Sequence, residues 1–130
     1  MIGSGLHVID LAEQRLRWLE RRQGVLAQNL AHANTPGYAP RDLLPFDAAL
    51  SRAAPMVRSD PRHIAMSGAG QDASVRRDRT ATERAPNGNA VSLDAQALKV
   101  AETDQAHALA AALHRRWTAM FRLTLGNRAG

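Results

Sequence analysis

Five histidines and twelve carboxylates are the groups through which this chain could do chemistry, and it has no cysteine. Metal binding on a helix wants two ligands one turn apart, and His7, His32, His63, His107 and His114 offer no His-x-x-x-His pair. His107 and His114 stand two turns apart on one face of a predicted helix, with Asp104 one turn earlier, a spacing that suits solvated or packed side chains. Ser92 precedes an apolar run and reads as a helix cap; nothing around it suggests a Ser-His-Asp arrangement. No glycine pattern joins a strand to a helix, so a phosphate cradle is not expected. The chemistry-bearing residues therefore predict no catalytic, cofactor-binding or metal site, and no small-molecule substrate.

Charge offers a second kind of function. The formal charge is +5, and 16 of the 17 basic residues are arginine, with Lys99 the exception. Arginines cluster at 15, 17, 21 and 22, at 76, 77 and 79, and at 115 and 116. A basic helical nucleic-acid-binding protein is thus one alternative reading, and a generic coiled-coil adaptor another. Glu13 and Glu20 interrupt the first cluster, however, and no set of stacking aromatics accompanies any of the three. Nucleic acid is not the expected partner. The skew to arginine matches GC-rich codon usage better than selection for a binding surface.

The elements that carry these residues are mainly helical, and a length of 130 residues predicts one domain over 1–130. From 6 to 33, Ile9, Ala12, Leu16, Leu19, Gln23, Leu26, Leu30 and Ala33 recur alternately three and four residues apart. That is a coiled-coil seam with one polar position, flanked by Glu13 and Glu20 on one side and Arg15 and Arg22 on the other. Trp18 lies off the seam, and with Leu11 and Val25 forms a second stripe. A second long helix is predicted over 92–125, capped by Ser92 and stopped by Gly126 and Asn127. On it Leu98, Ala101, Gln105, Leu109, Leu113, Trp117 and Met120 share a face at about 3.67 residues per step, the period of a nearly straight helix.

Residues 34–91 are irregular, punctuated by "TPGY", "SGAG" and "PNGN". "LPFDAALSRA" predicts a short helix begun by Pro45, and "PMVRSD", "HIAMS" and "ASVRRD" allow only brief strands. The fold class expected is two long terminal helices in a coiled-coil-like hairpin around this middle. So few large residues in the middle cannot cover both stripes, which predicts a chain ordered fully only in an assembly. Ile9, Leu16, Trp18, Leu19, Leu26, Leu30, Leu98, Leu109, Leu113, Trp117 and Met120 are the candidate subunit contacts, with Trp18 exposed in the monomer.

The first helix stops at "AHANTPGYAPRD". Asn34 tolerates the left-handed conformation that closes a helix, Thr35 precedes a proline and leaves the helical region, and Pro36-Gly37 is the central pair of a type II turn. Tyr38 then brings a ring and a hydroxyl to be placed. Asn29, Ala31, Ala33, Asn34, Thr35, Pro36, Gly37 and Tyr38 together resemble the N-terminal signature of the axial proteins of the bacterial flagellum, the rod and hook family. Arg41-Asp42 followed by Phe46 and Leu50, "DPRHIA" at 60–65 and "NGNAVSLDAQALKVAET" at 87–103 resemble further landmarks of its rod members. The chain departs from the pattern at His32, Ser92, Gln96 and His107.

The resemblance implies a structural subunit of the proximal rod, polymerising through its terminal helices to transmit torque. Its implied partners are copies of itself, other rod proteins, a rod-base adaptor, the membrane-ring protein and export-gate proteins. It also implies a periplasmic place in the basal body, reached through the flagellar type III apparatus. The residues agree: "MIGSGLHVIDLAEQRLRW" lacks a basic start before an apolar core, so no cleavable secretory signal is expected. A chain without cysteine also crosses an oxidising compartment without mispairing.

Overall fold

A computed structural model describes residues 2–53, 75–79 and 91–126. Their order is α1 (Ile2–Ala31), β1 (Arg41–Leu43), α2 (Phe46–Ala53), β2 (Val75–Arg77) and α3 (Leu93–Gly126). The two terminal helices run 30 and 34 residues, roughly 45 and 50 Å at 1.5 Å per residue, and pack along one another as a hairpin. α1 starts earlier and ends two residues sooner than the seam predicted. α3 begins where Ser92 caps it: the Ala95 N–H donates to Ser92 Oγ at 3.4 Å.

The two helices are held in one antiparallel register. Glu13 Oε1 faces His114 Nε2 at 3.2 Å, Glu20 Oε1 faces His107 Nε2 at 3.6 Å, and Gln23 Nε2 donates to Asp104 Oδ1. Seven residues forward on α1 match seven back on α3, then three match three. The polar seam residue Gln23 is thus partnered across the hairpin. His107 and His114 are spoken for by glutamates rather than by each other. Among the described residues no group of three His, Asp or Glu could hold a metal ion, and no helix is long and apolar enough to cross a membrane.

β1 and β2 form a two-stranded antiparallel sheet in which Arg41 faces Arg77, Asp42 faces Arg76 and Leu43 faces Val75. β2 falls inside "ASVRRD", where a brief strand was expected; β1 was not. "PMVRSD", "HIAMS", "SGAG" and "PNGN" lie outside the described residues. α2 begins at Phe46, one residue later than the Pro45 start expected, with the Pro45 carbonyl accepting the Ala49 N–H at 2.9 Å as the cap.

The core is small: Trp18, Leu19, Val25 and Leu43, with Phe46, Ala49, Ala106 and Ala110 packed against it. Leu19 and Leu26 are fully buried, as seam positions should be. One expectation fails here. Trp18 is not exposed in the single chain; it is 8% accessible, because β1 and α2 fold back over it. Its Nε1–H donates to the Leu44 carbonyl at 3.0 Å, and its ring meets Phe46 edge-on at 6.1 Å. Of the second stripe only Leu11 stays exposed, since Val25 joins the core.

The α3 stripe, expected among the subunit contacts, does not turn toward α1. The inner face is Gln96, Thr103, Ala106 and Ala110, because α1 presents bulky Leu19 and Leu26 and the facing helix must be small to approach. Leu98, Leu109, Leu113, Trp117 and Met120 all stay exposed, Leu109 at 62%.

Candidate functional site: the helix stop and the outward stripe

The stop after α1 is built from local turns. His32 N–H bonds Gln28 O at 3.1 Å, Ala33 N–H bonds Leu30 O at 3.2 Å and Thr35 N–H bonds His32 O at 3.0 Å, so the helix tightens before it ends. Asn34 does not take the left-handed conformation expected of it; no described residue other than glycine has positive φ. The tightening turns consume the last carbonyls instead. The reversal comes one step later. Gly37 sits at φ +74°, and Tyr38 N–H returns to Thr35 O at 3.2 Å, which is the geometry of a type II turn on Pro36-Gly37.

That turn delivers Tyr38 back onto the helix it has just left. Its ring stacks on His32, centroids 4.6 Å apart at 17°, and His32 Nδ1 lies 3.2 Å from Thr35 Oγ1. The Tyr38 hydroxyl donates to Asn29 Oδ1 at 3.2 Å. Asn29 has no accessible surface, and every hydrogen-bonding position on its side chain is used. Oδ1 also accepts the Arg41 N–H at 2.9 Å, while Nδ2 donates to Arg41 O at 2.7 Å and to Gln96 Oε1 at 2.9 Å. One amide therefore ties together α1, the turn, β1 and the first turns of α3. Gln96, a departure from the resemblance's pattern, is the partner that reaches it from the far end of the chain.

A charged knot lies beside this polar one. Arg22 grips Asp42 with two bonds, Nε to Oδ1 at 2.9 Å and Nη2 to Oδ2 at 3.0 Å. Lys99 reaches the same carboxylate at 3.4 Å and also pairs with Asp78. Burial works to raise the Asp42 pKa, but the Arg22 hydrogen bond and charge, the Leu43 N–H and Lys99 together hold it below the ordinary carboxylate value. The Asp42 hydrogen bond holds Arg22 above its ordinary value against the opposing effect of burial. Sequence reasoning singled out Asp42 only through the resemblance and assigned it no partner; Arg22 was taken for a seam-flanking charge.

Of the candidate contact residues, the structure places Leu19, Leu26 and Trp18 inside the chain and leaves Ile9 and Leu16 half-buried. Leu30 and the α3 set remain outside. Leu98, Leu109 and Met120 follow one another at eleven-residue steps, a repeat that keeps them on one line along a straight helix, with Leu113 and Trp117 beside it. The stripe is legible in the sequence; the small face that packs on α1 is not.

The chain is thus a helical hairpin that locks its turn inward and leaves a stripe of large apolar side chains on α3 exposed. No family model matches the chain. Among curated proteins, the flagellar basal body rod protein FlgB of Agrobacterium fabrum (strain C58 / ATCC 33970) is 31% identical over 125 residues, 92% of this chain and 93% of that protein. The chain belongs to the FlgB family of flagellar basal body rod proteins.

Proposed function

We propose that this chain is a structural, non-catalytic subunit of the proximal rod of the bacterial flagellar basal body. It polymerises through its two terminal helices, and the rod so formed transmits torque across the periplasm. One observation carries the mechanism: α3 keeps Leu98, Leu109, Leu113, Trp117 and Met120 in water while the hairpin spends small residues on its own packing. An exposed stripe of this length is costly for a free monomer and is relieved when a neighbouring helix covers it. Leu30 and Leu11 on α1 extend the apolar outer surface and are further contact candidates.

The partners that fit are copies of this chain and other rod proteins along the shaft. At its base they are a rod-base adaptor, the membrane ring and the export gate. Export by the flagellar type III apparatus is the route consistent with this reading. The signature turn at Asn29, Asn34, Thr35, Pro36, Gly37 and Tyr38 has the role of fixing where α1 stops, so that the middle segment leaves the rod wall at a set height.

The test is a strain carrying Leu109→Glu and Leu113→Glu. Both side chains are exposed in the single chain, so the purified variant is expected to fold with unchanged helicity. Extracted basal bodies should lack rods and cells should not swim. Normal rods and normal swimming from this strain would overturn the proposal.

A further inference from the structure

A recess of about 660 Å³ opens between α1, β1, the start of α2, β2 and Lys99 of α3, and none of the exposed α3 stripe residues lines it. Six basic side chains and three acidic ones line it. Two of the acids are already engaged, Asp42 with Arg22 and Lys99, and Asp78 with Lys99. Among the described residues that leaves Arg15, Arg76, Arg77 and Arg79 against Asp47 alone.

Arg15 is the unusual member. Exposed arginines on a strand are ordinary solvated charges. Arg15 is half-buried, its guanidinium 4.8 Å from the Trp18 ring centroid and 5.0 Å from that of Phe46, with no carboxylate partner among the described residues. Burial first, and the neighbouring Arg22 charge second, hold its pKa below the ordinary value. Two aromatic faces orient the cation but do not neutralise it. A carboxylate arriving there would form the charge-assisted pair that the chain itself does not supply.

We infer that this recess is a docking site for an extended acidic segment of a different protein, with Arg15 as its deepest anchor, Arg76, Arg77 and Arg79 along its rim, and Trp18 and Phe46 as its apolar wall. The cations are spread over a helix and a strand, which suits several carboxylates on one chain better than a single small anion. A second copy of this chain is a poor match: it carries +5, and its Glu13 and Glu20 already face His114 and His107. A concave recess with aromatic walls also suits a peptide better than a bilayer surface. The inference does not rest on the rod reading.

The test uses the full chain in solution and a fluorescein-labelled peptide alternating glutamate and leucine. Fluorescence anisotropy should report salt-sensitive binding, weakened about tenfold or more by Arg15→Gln, the loss expected for one charge-assisted contact. The paired variant Arg76→Gln/Arg79→Gln should weaken it comparably, while Arg116→Gln on α3 should leave it unchanged. Circular dichroism checks each variant. Should Arg15→Gln lose helix, the rim pair decides, because those side chains are exposed. Absence of binding, or equal loss in Arg116→Gln and the pocket variants, would overturn the inference. So would Arg15-dependent binding to phosphatidylglycerol vesicles without peptide binding. None of these failures touches the rod reading, which is judged by rods and swimming.

Discussion

Asn29 has two donors and two acceptor lone pairs on its side chain, and all four are matched to groups from three other parts of the chain. Replacing it by leucine strands the Arg41 N–H and the Gln96 side chain in a dry site, an expected loss of about 2–4 kcal/mol in urea unfolding. Gly37 makes a different demand. A Cβ built on it meets no heavy atom within 4 Å, so only its φ of +74° objects to a side chain. Gly37→Val should therefore cost about 1–3 kcal/mol through backbone strain alone, and Gly37→Asn distinctly less. Asp42 adds a pH dependence. Its folded pKa lies below the ordinary value, so its contribution is fully present above the unfolded pKa near about 4 and disappears as pH falls through the lower folded value. Asp42→Asn is expected to lose about 1–3 kcal/mol at neutral pH, with the stabilities of the two proteins converging in strong acid. A constant gap between their acid-unfolding curves would show that the carboxylate charge is not what matters.

At the scale of elements, sequence periodicity found an apolar stripe on each helix but not the small-residue face by which α3 packs on α1. The α1 seam was legible because its buried positions, Leu19 and Leu26, are also its largest and most apolar. On α3 the residues that pack on α1 are Thr103, Ala106 and Ala110, small side chains that a hydrophobic pattern does not single out, while leucines and Trp117 face outward. Trp18 was misread for a related reason: its cover comes from Leu44, twenty-six residues on, and a single-helix projection contains no such information. Likewise the signature from Asn29 to Tyr38 is visible as a motif, but its link to Gln96, sixty-seven residues away, is not. The small inner face makes its own prediction. Ala110→Leu inserts bulk where the helices touch and should cost about 1–3 kcal/mol, measurable as a lowered thermal midpoint, whereas enlarging exposed Ala112 should be neutral.

At the scale of the whole molecule, the buried apolar set is modest beside two helices of 30 and 34 residues. Isolated helices owe most of their stability to what they pack against. The monomeric chain is therefore expected to show less helical ellipticity than two complete helices would give, and to gain helix as it assembles. A dilute, strictly monomeric sample with the full helical signal would contradict this. Among the described residues the core, the Asn29 knot and the Arg22–Asp42–Lys99 cluster all sit toward one end of the hairpin, where β1 folds back. The distal half, from Leu109 to Gly126 on α3, is where helix content should rise most on assembly.

The matched steps of Glu13–His114, Glu20–His107 and Gln23–Asp104 have a genetic consequence. Each residue inserted in a helix turns everything beyond it by about 100°. A single-codon insertion or deletion between Gln23 and Asn29 would swing Asn29, with the turn and β1 that travel with it, away from Gln96 and carry Asp42 away from Arg22, breaking three bonds with one edit. Length drift among descendants of this chain is thus barred from the hairpin below its turn unless it arrives in whole heptads on both helices at once.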